Sequence, residues 1–314
     1  MEAPILKVSK LNLSYEDKKV IRDCTFEVNE GESLVILGAS GAGKSTLLKA
    51  IAGLSPHQSG DIFFQDERVV DAFQKLIPGH DKIKLINQDF GLDEYHTVEE
   101  NIRLRLLQFT KAYQNERLAK MLRLTGLTKF KDQRAQDLSG GQKQRLSMAR
   151  ALADEPELIL LDEPFNQVDF KTKTRLTRHL RSYLKKTNTT MIMVTHNGQE
   201  ALEWADKIAF IKNGKIKRVA EAEEFYYKPE SLEEAQFFGP VNKLIQKDQI
   251  FYFRPGDWKS TKSKKYHVKV KGEIHSAQSL GWFYSHVLKA EEQKVEIYGD
   301  KKIPSSIYIK PLSF

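Results

Sequence analysis

The stretch Ser33-Leu-Val-Ile-Leu-Gly-Ala-Ser-Gly-Ala-Gly-Lys-Ser-Thr46 decides how this chain folds. Residues 33–37 form a short apolar run suited to a buried strand, and residues 44–52 have helical periodicity closed by Gly53. Between them Gly38, Ala39, Ser40, Gly41, Ala42, Gly43, Lys44, Ser45 and Thr46 satisfy the pattern G-x-x-x-x-G-K-[ST]. Strand, glycine-rich turn and helix thus follow in the order a phosphate-binding loop needs. Glycines let the backbone approach phosphate oxygens, and the amides at the helix N-terminus face the anion. Lys44 adds a charge for the β- and γ-phosphates, and the Ser45 hydroxyl can ligate Mg²⁺. A turn that is glycine-rich for other reasons is the plain alternative, and the flanking elements weigh against it.

Working outward, residues 5–15 and 20–28 alternate apolar and polar positions, which predicts an antiparallel β start. Residues 62–64 and 83–86 read as strands. Thr97-Val-Glu-Glu100 is a capping box opening helical periodicity to about residue 124. Helix from residue 142, strand 158–161, helix 170–186, strand 190–194 and helix 198–205 then alternate, which argues a parallel α/β core. Asn213-Gly214 between apolar runs marks a hairpin. After helical sequence to about residue 238, short aromatic and β-branched runs with Gly and Pro turns predict a small all-β module. The expected division is a nucleotide-binding domain at 1–238, with a helical subdomain at about 89–153, and an accessory β domain at 239–314.

Leu158-Ile-Leu-Leu-Asp-Glu-Pro164 ends an apolar strand in two carboxylates. Buried unpaired charge costs several kcal/mol, so a hydrogen-bonded or metal-linked role is expected there. Asp162 suits the metal shell. Glu163 is placed to orient or deprotonate the water that attacks a γ-phosphate, although a glutamate alone could equally cap a helix or bridge a cation.

Composition narrows the classes. Of the 314 residues, 40% are hydrophobic and 29% charged, an ordinary globular balance. No apolar run approaches the roughly 18 residues that a membrane span needs, and the N-terminus lacks a basic n-region and an apolar h-region. A reducing cytosolic setting is expected, with the single cysteine, Cys24, a buried structural thiol. Residues 241–314 hold fourteen Lys and Arg against seven Asp and Glu, so +7 of the net +8 lies in the tail. Scattered lysines read first as a solvated face, and no nucleic-acid motif supports the alternative.

The motifs together resemble the ATP-binding cassette (ABC) family, most specifically at Leu138-Ser-Gly-Gly-Gln-Lys-Gln-Arg145, which looks like the family's signature. An amide-rich helix start at Ser139, Gly140, Gly141 and Gln142 makes a second anion site distinct from the first loop. The resemblance implies ATP and Mg²⁺ as ligands and ATP hydrolysis coupled to transport. It also implies a head-to-tail homodimer in which the signature of one copy closes over ATP held by the other. By order along the chain it assigns Tyr15 to the adenine, Gln88 to Mg²⁺ and the attacking water, and His196 to the γ-phosphate. Glu163, His196, Gln88 and Lys44 become the catalytic set, Ser45, Gln88 and Asp162 the metal set, and Asp169 the dimer-loop residue. Tyr15 could also be a packed strand-end aromatic, Gln88 a surface amide, and His196 structural. One departure stands out: Phe165-Asn-Gln-Val-Asp169 replaces the usual Ser-Ala-Leu-Asp ending, which puts contacts across the dimer in doubt.

In the tail, Phe237-Phe-Gly-Pro-Val-Asn242 and Phe253-Arg-Pro-Gly-Asp257 resemble the entry to the oligomer-binding-like β-barrel of importer ATPases for sugars, polyamines, oxyanions and ferric iron, with Gly256 in place of a usual glutamate. That implies import, permease partners and a substrate-binding protein, on the inner face of the cell membrane, with no nucleic-acid partner. A soluble ABC ATPase acting on nucleic acid or ribosomes is the competing expectation.

Overall fold

The computed structural model describes residues 3–314 apart from positions 17, 88, 167 and 291. Two compact units divide the chain: Met1–His196 with Glu203–Ala220, and Asn197–Leu202 with Glu221–Phe314.

The first unit opens with β1 (Leu6–Tyr15) and β2 (Lys18–Val28), an antiparallel pair. β3 (Ser33–Leu37) leads into α1 (Lys44–Ile51), followed by β4 (Ser59–Phe64), β5 (Glu67–Arg68) and β6 (Ile83–Ile86). The helices α2 (Val98–Arg103), α3 (Lys111–Thr125) and α4 (Gly140–Leu152) follow. β7 (Leu158–Asp162), α5 (Phe170–Thr187), β8 (Thr190–Thr195), β9 (Lys207–Lys212) and β10 (Lys215–Glu221) complete this unit, while α6 (Gly198–Trp204), between β8 and β9 in the chain, falls mostly within the second.

Two sheets result. β2-β1-β4-β5 is antiparallel, and β10-β9-β3-β8-β7-β6 is parallel from β9 to β6. Every residue of β7 and β8 is buried, which is why both read as unbroken apolar runs rather than alternating ones. Alternation survives in β1 and β2, each with one face inward. Leu6, Val8, Leu11 and Ile21 of the first sheet, Leu34, Ile36 and Ile192 of the second, and Leu47 and Ile51 of α1 form one core. Each such side chain contributes about 1.5–3 kcal/mol relative to exposure. At the β9–β10 hairpin Asn213 (φ 52°) and Gly214 (φ 75°) are both left-handed, the backbone such a dipeptide favours.

The helical run expected from Thr97 to about residue 124 is broken. α2 stops at Arg103, and α3 starts afresh with Thr110 accepting a hydrogen bond from the Tyr113 amide. The buried Asn101 amide donates to the carbonyls of Asp93, His96 and Thr97, tying the α2 entry to its approach loop.

In the second unit α7 (Ala222–Tyr227) and α8 (Leu232–Phe237) replace one continuous helical stretch. The strands are β11 (Asn242–Gln246), β12 (Gln249–Phe253), β13 (Trp258–Lys259), β14 (Val268–Lys271), β15 (Glu273–Ser279), β16 (Tyr284–Ala290), β17 (Gln293–Gly299) and β18 (Ser306–Ile309). They form antiparallel sheets β11-β12, β13-β18-β14 and β15-β16-β17 around Leu244, Phe253, Val270, Leu288, Ile297 and Ile307. Buried Arg254 reaches back to the helices: its guanidinium donates to the carbonyls of Ala235 and Tyr226 and lies 4.2 Å over the Tyr226 ring. A Cβ on Gly256 would meet nothing within 4 Å, so the departure from glutamate there leaves the backbone unstrained.

Candidate nucleotide-binding site

Three adjacent parallel strands, β3, β8 and β7, release their chains at the same edge, because Leu37 pairs with Thr195 and Val194 with Asp162. The glycine-rich loop, His196 and Glu163 therefore gather at the carboxyl ends of the strands, where open α/β sheets bind ligands.

Gly43 caps α1 at φ 97°. A Cβ there would lie 2.8 Å from Ile21 Cδ1 and 2.9 Å from the Val20 carbonyl oxygen, so neither the dihedral nor the space admits a side chain. Lys44, 6% exposed, donates through Nζ to the carbonyl oxygens of Gly38 (2.9 Å) and Ala39 (3.0 Å), drawing the loop around its ammonium. Burial lowers the Lys44 pKa, against the opposing pull of Glu163 and Asp162.

Ser45 donates from its hydroxyl to Asp162 Oδ1 at 3.0 Å. Burial raises the Asp162 carboxyl above the usual range, while the Ser45 hydrogen bond opposes the shift. A hydroxyl and a desolvated carboxylate touching each other are hard oxygen donors of the kind Mg²⁺ takes, so these residues fit that ion. Glu163 has φ 47°, unusual for a side-chain-bearing residue, and its amide donates to the Val194 carbonyl. Its Oε1 receives His196 Nδ1 at 2.9 Å, and its Oε2 receives the Asn166 side-chain amide. Burial works to raise the Glu163 carboxyl, but these hydrogen bonds outweigh it and hold the group below its ordinary value.

Tyr15, Ser40, Gly41, Gly43, Lys44, Ser45, Thr46 and Glu163 line one cleft of about 980 Å³. Tyr15 is half exposed, with its ring available at the cleft wall. Gly38 and Ala39 join the same loop through Lys44, and Ala42 through its amide to the Ala39 carbonyl. Asp162 and His196 enter through Ser45 and Glu163. Gln88 lies outside the described residues. Sequence reasoning missed the cations Lys18, Lys19 and Arg22, which share the cleft with the Asn213-Gly214 turn. The basic cluster following Tyr15 was the available signal.

The relatives agree with this geometry. The chain is 34% identical over 284 residues to the spermidine/putrescine import ATP-binding protein PotA of Bacillus cereus, covering 88% of this chain and 85% of that one. This chain belongs to the ATP-binding proteins of ABC transporters. The family model described as ABC transporter matches residues 21–166, from β2 to the segment after Glu163. The Fe(3+) ions import ATP-binding protein FbpC of Haemophilus influenzae is 36% identical over 248 residues, 77% of this chain and 71% of its own. Among solved structures, a dimeric ATP-binding cassette in a post-hydrolysis state bound to ADP and Pi matches with a TM-score of 0.63 at 26% identity, covering 69% of this chain and 98% of that one. The chain is thus an ABC ATPase, and a nucleotide is its ligand.

The stretch that resembles the ABC signature, residues 138–145, leads into α4. Ser139 caps the helix, its hydroxyl accepting from the Gln142 amide while Gln142 Oε1 accepts from the Ser139 amide, and Gly140 and Gly141 form the first turn. Among the described residues lining the Tyr15–Lys44 cleft none comes from 139–142. Further along α4, buried Gln144 directs its amide at the Glu163 carbonyl oxygen (3.5 Å), and Arg145 donates to the Thr125 and Gly126 carbonyls at the end of α3. Asp169 caps α5, and hydrogen bonds from Thr172 lower its pKa.

Proposed function

We propose that this protein is the ATP-hydrolysing motor of an ABC importer, with residues 1–238 as the cassette and 239–314 as an oligomer-binding-like accessory domain. The convergence of Lys44, the Ser45–Asp162 pair and the His196–Glu163 pair on one cleft carries the reading.

In this reading the amides of residues 38–46 and Lys44 hold the β- and γ-phosphates, and Tyr15 stacks on the adenine. Ser45, Asp162 and Gln88 hold Mg²⁺, which when bound neutralises charge on the phosphates. Glu163 orients and deprotonates the attacking water, and His196 approaches the γ-phosphate. Ser139, Gly140, Gly141 and Gln142 complete the site from a second copy, head to tail. Closure around ATP and reopening after hydrolysis then give a membrane permease two states to read.

Inward direction is supported by relatives whose names specify import, of spermidine/putrescine and of Fe(3+) ions. Among the described residues no helix is long and apolar enough to cross a membrane. In this reading the path for solute belongs to permease subunits, on whose inner face this chain sits. A substrate-binding protein delivers the solute. Glu163→Gln tests the chemistry: ATP binding persists while turnover falls by about 10²- to 10⁴-fold. Turnover at the wild-type rate would remove Glu163 from this role.

A further inference from the structure

Among ABC ATPases the segment after Glu163-Pro164 is where this chain departs from the usual residues, and the structure places the departing Asn166 on the water-activating carboxylate. Glu163 begins a tight turn in which the Asn166 amide closes on the Glu163 carbonyl at 3.5 Å, while the Asn166 side-chain amide donates to Glu163 Oε2. A carboxylate accepts only, so donation from Asn166 Nδ2 is the sole sense this contact can take. The turn is anchored on its far side: Phe165, 3% exposed, stacks on Trp204 with centroids 5.2 Å apart. Asn166 is thereby held where its short side chain meets the carboxylate. Glu163 needs such support, because its φ of 47° is strained for a residue with a side chain.

We infer that Asn166 is a positioning residue for hydrolysis: it fixes the plane of the Glu163 carboxylate through Oε2, so that the group stays aimed when His196 leaves Oε1 for the γ-phosphate. The inference rests on the role given to Glu163 above. Of the two donors on the carboxylate, His196 is the one that the proposed function moves to the γ-phosphate, whereas Asn166, three residues along the same turn, is also tied to Glu163 through the backbone. A serine in its place reaches one atom less far and lacks the amide donor. Asn166 is itself exposed, so its substitution leaves the packed core intact.

The test compares Asn166→Leu and Asn166→Asp with Glu163→Gln in the full chain, measuring steady-state ATPase kinetics and ATP-dependent dimer mass together. Leucine keeps the size of the side chain and removes the donor, and aspartate turns the contact into a repulsion. The expected result for Asn166→Leu is a kcat about tenfold lower with KM for ATP within about twofold, and for Asn166→Asp a larger fall. Both variants should still form the ATP-bound dimer, as weaker versions of Glu163→Gln. Wild-type kcat in Asn166→Leu would overturn the proposal, as would loss of the ATP-dependent dimer in step with turnover, which would place Asn166 at the contact between copies. Should Glu163→Gln itself hydrolyse normally, the assignment of Glu163 fails first. If that variant is inactive and Asn166→Leu is not, only the present inference fails.

Discussion

Replacing Gly43 by alanine tests whether the loop is built as tightly as the cleft requires. The residue has φ 97°, where an L-residue costs about 1–2 kcal/mol. Its new Cβ would press on Ile21 Cδ1 at 2.8 Å and the Val20 carbonyl at 2.9 Å, well inside ordinary van der Waals contact. Ile21 is 1% exposed, so β2 has no room to recede. Overpacking of this kind costs a further 1–3 kcal/mol, giving about 3 kcal/mol in total. If β2 yields, that appears as lost stability; if the loop yields, nucleotide affinity falls by up to about a hundredfold. Urea unfolding and titration with a fluorescent ATP analogue read the two losses, which should sum to about 3 kcal/mol. Gly41→Ala is the internal control: its φ is 77°, but a Cβ would meet nothing within 4 Å, so only the dihedral cost of about 1 kcal/mol remains. Equal effects from the two variants, or none from Gly43→Ala, would refute the steric argument.

Three further outcomes follow from the same packing. Buried Arg117 on α3 donates to the carbonyls of Leu152 and Ala153 at the end of α4, to the Tyr183 hydroxyl and to Glu155, so Arg117→Met should cost about 3 kcal/mol in urea unfolding by leaving those groups unsatisfied. At Glu99, burial would raise the carboxyl, but hydrogen bonds from Lys131 and Arg103 hold its pKa below the ordinary glutamate value. Its stabilisation is therefore present above the unfolded value and lost as pH falls through the folded one, so the deficit of Glu99→Gln, about 1 kcal/mol near neutrality, should shrink away as pH falls through the folded value in a thermal-melt series. Lys18, Lys19 and Arg22 line the same cleft as Tyr15 and Lys44, and replacing all three by alanine should weaken ATP binding more at low salt than at high salt in titrations across ionic strengths.

What could be read from sequence was the chemistry encoded at short range. The loop at 38–46, the paired carboxylates after β7 and the capped helix at Ser139 each declare themselves within a few residues, because backbone geometry fixes how such neighbours meet. β7 and β8 were legible as unbroken apolar runs for the same reason that they are buried on both faces. The break between α2 and α3 was not, since Leu104 to Phe109 keeps helical spacing while the backbone there closes tighter turns, Arg105 amide to Ile102 carbonyl and Leu106 amide to Arg103 carbonyl, before Thr110 caps α3. Nor did composition reveal β15, whose residues are all exposed and therefore carry no inward-facing pattern. At the site, the sequence marked Asn166 only as a departure bearing on contacts across the dimer, and it did not show that the side chain also meets Glu163 of its own chain. Side-chain reach across a turn with a left-handed residue is a property of three dimensions, and spacing alone does not show it.

The assignment turns on whether two copies share each nucleotide. Light scattering of Glu163→Gln with saturating Mg-ATP should report a dimer mass, and adding Gly141→Asp, which sets a carboxylate at the α4 N-terminus, should return the monomer while ATP remains bound. A monomer mass for Glu163→Gln itself under saturating nucleotide, or a dimer indifferent to Gly141→Asp, would contradict the shared site.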